Sequence, residues 1–72
     1  MYIIVELQTN NGTTANIVTA FEDKLAAESA YHTVLAAAAI SQVEIHAAVL
    51  MDEYGNQLNR AIYLHQNEQE TE

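Results

Sequence analysis

Few side chains in this sequence could do covalent chemistry. Its 72 residues include three histidines and ten acids but no cysteine, so thiol nucleophiles and thiolate metal sites are excluded. Ser29 lies three residues before His32, but a helical serine near that spacing usually bonds its own backbone. With only two glycines, the chain has neither a Gly-x-Ser-x-Gly nucleophile elbow nor a glycine-rich phosphate loop.

The remaining acid–base and metal candidates have structural explanations. Glu22-Asp23 stands where a helix is expected to begin, and Asp52-Glu53 stands in an expected turn. His32, His46 and His65 show none of the short spacings of known zinc motifs. We therefore predict no catalytic residue, no metal site and no cofactor, and we expect a protein that is not an enzyme. A metal site shared by His46 and His65 across a subunit interface is the alternative.

The elements that position these residues follow from apolar periodicity. Residues 2–9 and 13–20 are rich in β-branched side chains, and Ile3, Val5 and Leu7 of the first segment alternate onto one face, which predicts two strands. Asn11-Gly12 between them is a strong hairpin signal, because both residues tolerate positive φ. From Glu22 the period changes, and residues 25–40 are dominated by alanine, the best helix former.

The second half of the chain repeats the strand–turn–strand pattern. Residues 43–51 and 58–65 alternate on either side of a turn that contains Gly55. The order predicts an α+β domain of ββαββ type, a four-stranded antiparallel sheet with one Ala-rich helix packed on one face. We assign residues 1–65 to this single domain and residues 66–72 to an acidic, flexible tail.

The predicted helix is apolar on two opposite sides. One side is expected against the sheet and holds Ala27, Tyr31, Val34, Leu35 and Ala38. The other side is small and weakly polar, where a solvated helix would carry Lys and Glu, and small residues let a second helix approach closely. An exposed, merely helix-forming alanine face is the alternative. The predicted oligomer interface comprises Leu25, Ser29, His32, Ala36 and Ala39.

The two faces of the predicted sheet differ in character. The face assigned to the helix is aliphatic and holds Ile3, Val5, Leu7, Val43, Ile45, Ala47 and Val49. The face assigned to the outside carries apolar, aromatic and imidazole groups, a mixture that binding surfaces favour, and holds Tyr2, Ile4, Glu6, His46, Ala48, Leu50, Tyr63 and His65. A shift of one residue in register would exchange the two faces.

The chain is strongly acidic. Only Lys24 and Arg60 oppose the ten acids, which gives a net charge of −8, and without the tail seven acids against two bases leave −5. A monomer with two cations cannot displace the counterions that direct nucleic-acid binding requires. The acidity instead serves solubility or attracts a basic protein surface.

The sequence carries no sign of export. The opening residues lack the basic start of a signal peptide, and no apolar run is long enough to span a membrane. We expect a cytoplasmic protein without membrane partners.

Two stretches resemble a known group of proteins. The helical run Ala27–Ala39, with its Tyr-His-Thr-Val-Leu-Ala segment, and the strand Val43–Met51 with the turn residue Gly55 are similar to small proteins from phages and prophages of Gram-positive bacteria. The similarity covers most of the chain outside the tail. It brings no activity or site residue with it, but it implies a host-cell cytoplasmic location and a counter-defence role, which short phage proteins often fill by stoichiometric binding.

These observations give a leading function and two alternatives. The leading hypothesis is a homo-oligomer that sequesters a small nucleotide-like ligand at subunit interfaces, with aromatic stacking on the base and cations on the phosphate. One alternative is an acidic inhibitor, anti-CRISPR-like, that binds a basic surface of a host defence protein. The other is a phage structural or assembly protein. The predicted ligand-binding residues are Tyr31, His32, His46 and Arg60.

Overall fold

The computed structural model describes residues 1–65, and it confirms the predicted ββαββ order. The five elements are β1 (Tyr2–Asn10), β2 (Thr13–Phe21), α1 (Lys24–Ile40), β3 (Ile45–Asp52) and β4 (Gln57–Leu64). The predicted tail, residues 66–72, lies outside the described residues. No helix within residues 1–65 combines the length and apolarity needed to cross a membrane.

Two turns close the hairpins. Between β1 and β2, Asn11 and Gly12 have φ values of 53° and 80°, as a two-residue hairpin loop requires. Between β3 and β4, the Asp52 carboxylate accepts hydrogen bonds from the backbone N–H groups of Tyr54 and Asn56, each at 2.9 Å, and from Asn56 Nδ2 at 3.0 Å. Gly55 supplies the positive φ of 85° that this turn needs.

The helix is capped by its own flanking residues. Asp23 is the N-cap, and its carboxylate accepts from the Ala26 N–H at 3.1 Å, which satisfies one of the free amides of the first turn. At the other end the backbone N–H of Ser41 donates to Ala38 O at 3.3 Å. His65 Nε2 lies 2.8 Å from the same carbonyl oxygen, so the end of β4 is tied to the end of the helix.

All strands pair antiparallel in the order β2-β1-β3-β4. The two hairpins therefore join through β1 and β3, which form the centre of the sheet, and β2 and β4 form its edges. Val5 illustrates the register, because it stands opposite Val18 on one side and Val49 on the other.

The core lies between the helix and one face of the sheet, the covered face. Ala27, Tyr31 and Ala38 of the helix are buried, as the helical projection predicted. They meet a face that includes Ile4, Ala48 and Leu50, of which Ala48 is 1 % exposed. The small side chains of Ala27 and Ala48 let the helix approach the sheet closely, and Tyr31 fills the space beside them.

The predicted assignment of the sheet faces is wrong. The structure places Tyr2, Ile4, Ala48 and Leu50 against the helix, so the face that carries aromatic and imidazole groups is the covered one. The aliphatic set of Ile3, Val5, Leu7, Ile45, Ala47 and Val49 points away from the helix, and Val43 precedes β3. Alternation fixes which residues share a face. It does not say which face the helix covers, because both faces of β1 and β3 are rich in apolar side chains.

We name the other side of the sheet the open face. It consists of four cross-strand rows centred on Ile3, Val5, Leu7 and Thr9 of β1. Eleven of its sixteen side chains are apolar, namely Ile3, Val5, Leu7, Val18, Ala20, Ile45, Ala47, Val49, Met51, Ile62 and Leu64, and the polar ones are Thr9, Thr14, Asn16, Gln57 and Arg60. No element within residues 1–65 covers this face.

Candidate functional site

The four predicted ligand-binding residues do not meet in one cavity of the single chain. Tyr31 is 1 % exposed and belongs to the core. His32, the next residue, is exposed, and its ring lies edge-on to Tyr31 with 5.8 Å between ring centroids. His46 is buried under the helix, whereas Arg60 stands opposite Val49 on the open face. Only Tyr31 and His32 are neighbours.

His46 is held by a continuous chain of hydrogen bonds. Its Nε2 lies 2.5 Å from Glu6 Oε2, and its Nδ1 lies 3.2 Å from Ser41 Oγ. The backbone N–H of Val43 donates to the same Ser41 oxygen at 3.1 Å. A carboxylate only accepts, so the His46 Nε2–H donates to Glu6, and His46 Nδ1 shares a hydrogen bond with the Ser41 hydroxyl.

This Ser41–His46–Glu6 chain contains the residue types of a hydrolase triad, which the spacing in the sequence did not reveal. Sequence analysis tested Ser29 with His32 instead, and the structure shows Thr33 Oγ1 donating to Ser29 O at 3.0 Å. Ser41 does not line any of the three cavities of about 240, 260 and 380 Å³ within residues 1–65. The chain of hydrogen bonds connects β1, β3 and the end of the helix.

The cavity that contains Tyr31 and His32 lies where the first turns of the helix face β3 and β4. We name it the edge cleft. It has a volume of about 240 Å³ and is lined by Lys24, Glu28, Tyr31, His32, Leu50, Leu58 and Asn59. The cleft thus combines one cation, one imidazole, one carboxylate and one amide over an apolar floor.

The Tyr31 hydroxyl beside the edge cleft has no hydrogen-bond partner, although it is fully buried. Burial raises the pKa of Tyr31 above its ordinary value, and the proximity of Tyr63 raises it further. The hydroxyl therefore stays protonated at neutral pH and acts neither as a base nor as a nucleophile. An unpaired buried hydroxyl lowers the free energy of unfolding by about 1–3 kcal/mol, so Tyr31 makes the fold less stable than a fully paired side chain would.

A second, larger cavity lies on the other side of the helix. We name it the apolar groove. It has a volume of about 380 Å³ and is lined by Ile4, Glu6, Ile17, Thr19, Phe21, Ala30, Thr33 and Val34. Its only charged group is the Glu6 carboxylate, which already accepts from Gln8 Nε2 at 3.0 Å and pairs with His46. This groove suits an uncharged apolar group and repels an anion.

The predicted oligomer interface is uncovered in the single chain. Leu25 is 73 % exposed, and the other four members are exposed as well. Ile40, on the same side at the end of the helix, is 85 % exposed. Whether a second copy packs on this side stays a prediction. His32 belongs both to this surface and to the edge cleft, so a subunit that packs here would also border the cleft.

Within residues 1–65, no group of three or more His, Cys, Asp or Glu side chains has the arrangement needed to hold a metal ion. His65 is engaged with Ala38 O, and its ring stacks on Tyr63 with 6.3 Å between centroids. His46 and His65 therefore both serve packing on the covered face.

Comparison with known proteins does not assign the chain to a family. No protein-family model matches the chain, and neither a curated protein nor a solved structure matches it.

Proposed function

We propose that this chain is a non-enzymatic accessory protein of phage type that acts in counter-defence, as a homo-oligomer that sequesters a small nucleotide-like molecule. The observation that carries the proposal is the composition of the edge cleft. Lys24, His32 and Asn59 converge there over the apolar side chains of Leu50 and Leu58.

Each group in the cleft has a role that nucleotide chemistry requires. The exposed His32 ring offers a face on which a base stacks. The Lys24 ammonium is a point charge for a phosphate oxygen. Asn59 and Glu28 can hydrogen-bond base edges or ribose hydroxyls. The apolar groove, although larger, lacks a cation and places Glu6 where a phosphate would lie, so it fits this ligand class less well.

The size of the edge cleft supports an oligomer. At about 240 Å³ it falls below the roughly 300–1,000 Å³ of typical small-molecule sites. A second copy on the helix side that carries Leu25 and His32 would add a wall and enlarge the enclosed volume. It would also bring the second copy's Lys24 near a ligand that one chain can meet only with its own Lys24.

A thermal-shift panel tests the proposal. Cyclic dinucleotides and ADP-ribose derivatives are added to the full chain, and a ligand at a hundred times its Kd is expected to raise Tm by roughly 10 °C or more. The substitutions His32→Ala and Lys24→Ala are each expected to weaken binding at least about tenfold. A flat response across the panel would contradict the proposal.

Thr33→Ala is the matched control for His32→Ala. Thr33 is the next residue of the helix, is equally exposed, and lines the apolar groove instead of the edge cleft. Binding should survive this change. If Thr33→Ala abolishes binding and His32→Ala does not, the ligand occupies the apolar groove and the assignment to the edge cleft is wrong.

A second candidate function rests on the distribution of charge. All seven acids within residues 1–65 lie on the covered face, the helix or the loops, and Glu22, Asp23 and Glu53 are exposed. Such an acidic rim fits an inhibitor that binds a basic surface of a host defence protein. Its binding to a nuclease complex should weaken steeply with added salt, and an affinity independent of salt would contradict it.

A further inference from the structure

The open face of the sheet is an uncovered and mostly apolar surface in the part of the chain that the structure describes. With strands about 4.8 Å apart and side-chain rows about 6.8 Å apart, four strands and four rows span roughly 500 Å². Val18, Ile62 and Leu64 on it are 61 %, 44 % and 63 % exposed. The largest apolar patch of a typical monomer covers about 300–600 Å² and is often functional.

The charges of the chain avoid this face. Although residues 1–65 carry seven acids, none stands in its four rows, and its single charged side chain is Arg60 on the edge strand β4. Depletion of charge at the centre with a polar rim is the composition of a protein–protein interface. A long arginine at the rim can lay its stem along the interface and keep its guanidinium in water.

We propose that the open face binds the open face of a second copy, so that two sheets stack into a four-layer dimer with a helix on each outer side. Two copies would remove about 1,000 Å² of face from water, which reaches the lower limit for a specific interface. Flat aliphatic sheets pack in this way about 10 Å apart.

A second copy fits this face better than a foreign protein does. Both contacting surfaces are then free of carboxylates, so the acidity of the chain does not oppose contact. A chain of this length has only marginal stability when alone. Association with a second copy adds stability, and a second copy is always present at the concentration of the chain itself. This interface is independent of the ligand proposal, because the edge cleft lies on the other side of the sheet.

The helix side and the open face can operate together. They lie on opposite sides of the molecule, so their twofold axes do not intersect, and chains that use both interfaces build an open array and not a closed tetramer. Substitutions on the two surfaces can therefore be compared within one set of measurements.

Sedimentation velocity from 1 to 100 µM tests the proposal. The wild-type chain should sediment as a dimer or a larger assembly at the upper end of this range. Val18→Glu places a carboxylate in the interface, where an unpaired charge is costly, and should raise the dissociation constant of the sheet interface about a hundredfold. Leu25→Glu, on the helix side and of similar exposure, should leave this interface intact.

A wild-type chain that stays monomeric at 100 µM would overturn the proposal and leave the face to a foreign partner. An unchanged assembly in Val18→Glu would also overturn it, provided that circular dichroism shows the variant folded. If Val18→Glu does not fold, Ile62→Glu on the opposite edge strand replaces it.

The absence of native cysteine allows a second, independent measurement. Val49→Cys puts one thiol near the centre of the open face, and a bis-maleimide linker of about 10 Å should join two copies across the stacked sheets. Gln42→Cys, exposed beyond the helix, is the control and should not cross-link. Equal cross-linking at both positions would contradict the stacked arrangement.

Discussion

The helix covers the more polar face of the sheet and leaves the more apolar face open, which is the opposite of what the composition of the two faces suggests. The covered face carries titratable groups, including Glu6, His46 and Asp52, whereas eleven of the sixteen side chains on the open face are apolar. The chain pairs its covered polar groups with one another and with the end of the helix, so that face can be both buried and polar. Among residues 1–65, the more apolar face is the one left without a cover. The more apolar face of a sheet is therefore not always the face that the chain's own helix covers.

The largest effect on stability is expected when a leucine on the covered face, and not one on the open face, is replaced by alanine. Leu50 is 4 % exposed on the covered face, and Leu64 is 63 % exposed on the open face. Leu50→Ala should lower the free energy of unfolding by about 2–5 kcal/mol, because it leaves a cavity in the core. Leu64→Ala should cost about 0.5 kcal/mol or less in dilute solution. Urea denaturation at low micromolar concentration measures both, and equal losses would mean that the faces are wrongly assigned.

The polar link on the covered face should give the next largest effect. Glu6→Ala leaves the buried His46 Nε2–H without an acceptor, which should cost about 1–3 kcal/mol of stability. Glu6→Gln keeps a side-chain oxygen in reach and should recover most of that loss. Glu22→Ala, at an exposed acid, is the control and should change the free energy of unfolding by about 0.5 kcal/mol or less. A loss in Glu6→Gln as large as that in Glu6→Ala would show that charge matters more than the hydrogen bond.

A smaller, pH-dependent effect on stability is expected at Asp52, where β3 enters the turn before β4. Hydrogen bonds from the side chain and backbone of Asn56 hold the pKa of Asp52 below its ordinary value. A lowered pKa in the folded state means that the carboxylate stabilises the fold above the ordinary Asp pKa of about 3.9, and that this stability is lost as the pH falls through the folded pKa. Thermal unfolding from pH 7 to pH 2 should show Asn56→Ala less stable than wild type at neutral pH, with the difference shrinking in acid. A difference independent of pH would contradict this account.

The smallest effect, and the only one expected to be favourable, lies at Tyr31. Its buried hydroxyl has no partner, so Tyr31→Phe should leave the free energy of unfolding unchanged or raise it by up to about 1 kcal/mol. Tyr54→Phe, at a ring that is 84 % exposed, should have no measurable effect. A loss of more than about 1 kcal/mol in Tyr31→Phe would indicate a bound water or ligand on the hydroxyl.

The sequence predicted the elements far better than their relative placement. Asn11-Gly12 specified its hairpin because the turn chemistry is local, and the alanine run specified its helix and the buried stripe through Tyr31. The covered face could not be read from alternation, since Ile3 and Ile4 are equally apolar neighbours that point in opposite directions. Glu6 is brought to His46 only by the pairing of β1 with β3, so no spacing in the sequence could reveal that link.

The order of the strands also bears on how quickly the chain folds. Each hairpin joins neighbouring segments and can form within microseconds, but the pairing of Val5 with Val49 joins residues far apart in the sequence and must offset a larger loop-closure entropy. We therefore expect the docking of the two hairpins to limit the rate of folding. Substitutions along the β1–β3 seam should slow refolding, whereas changes in the outer strands should mainly hasten unfolding.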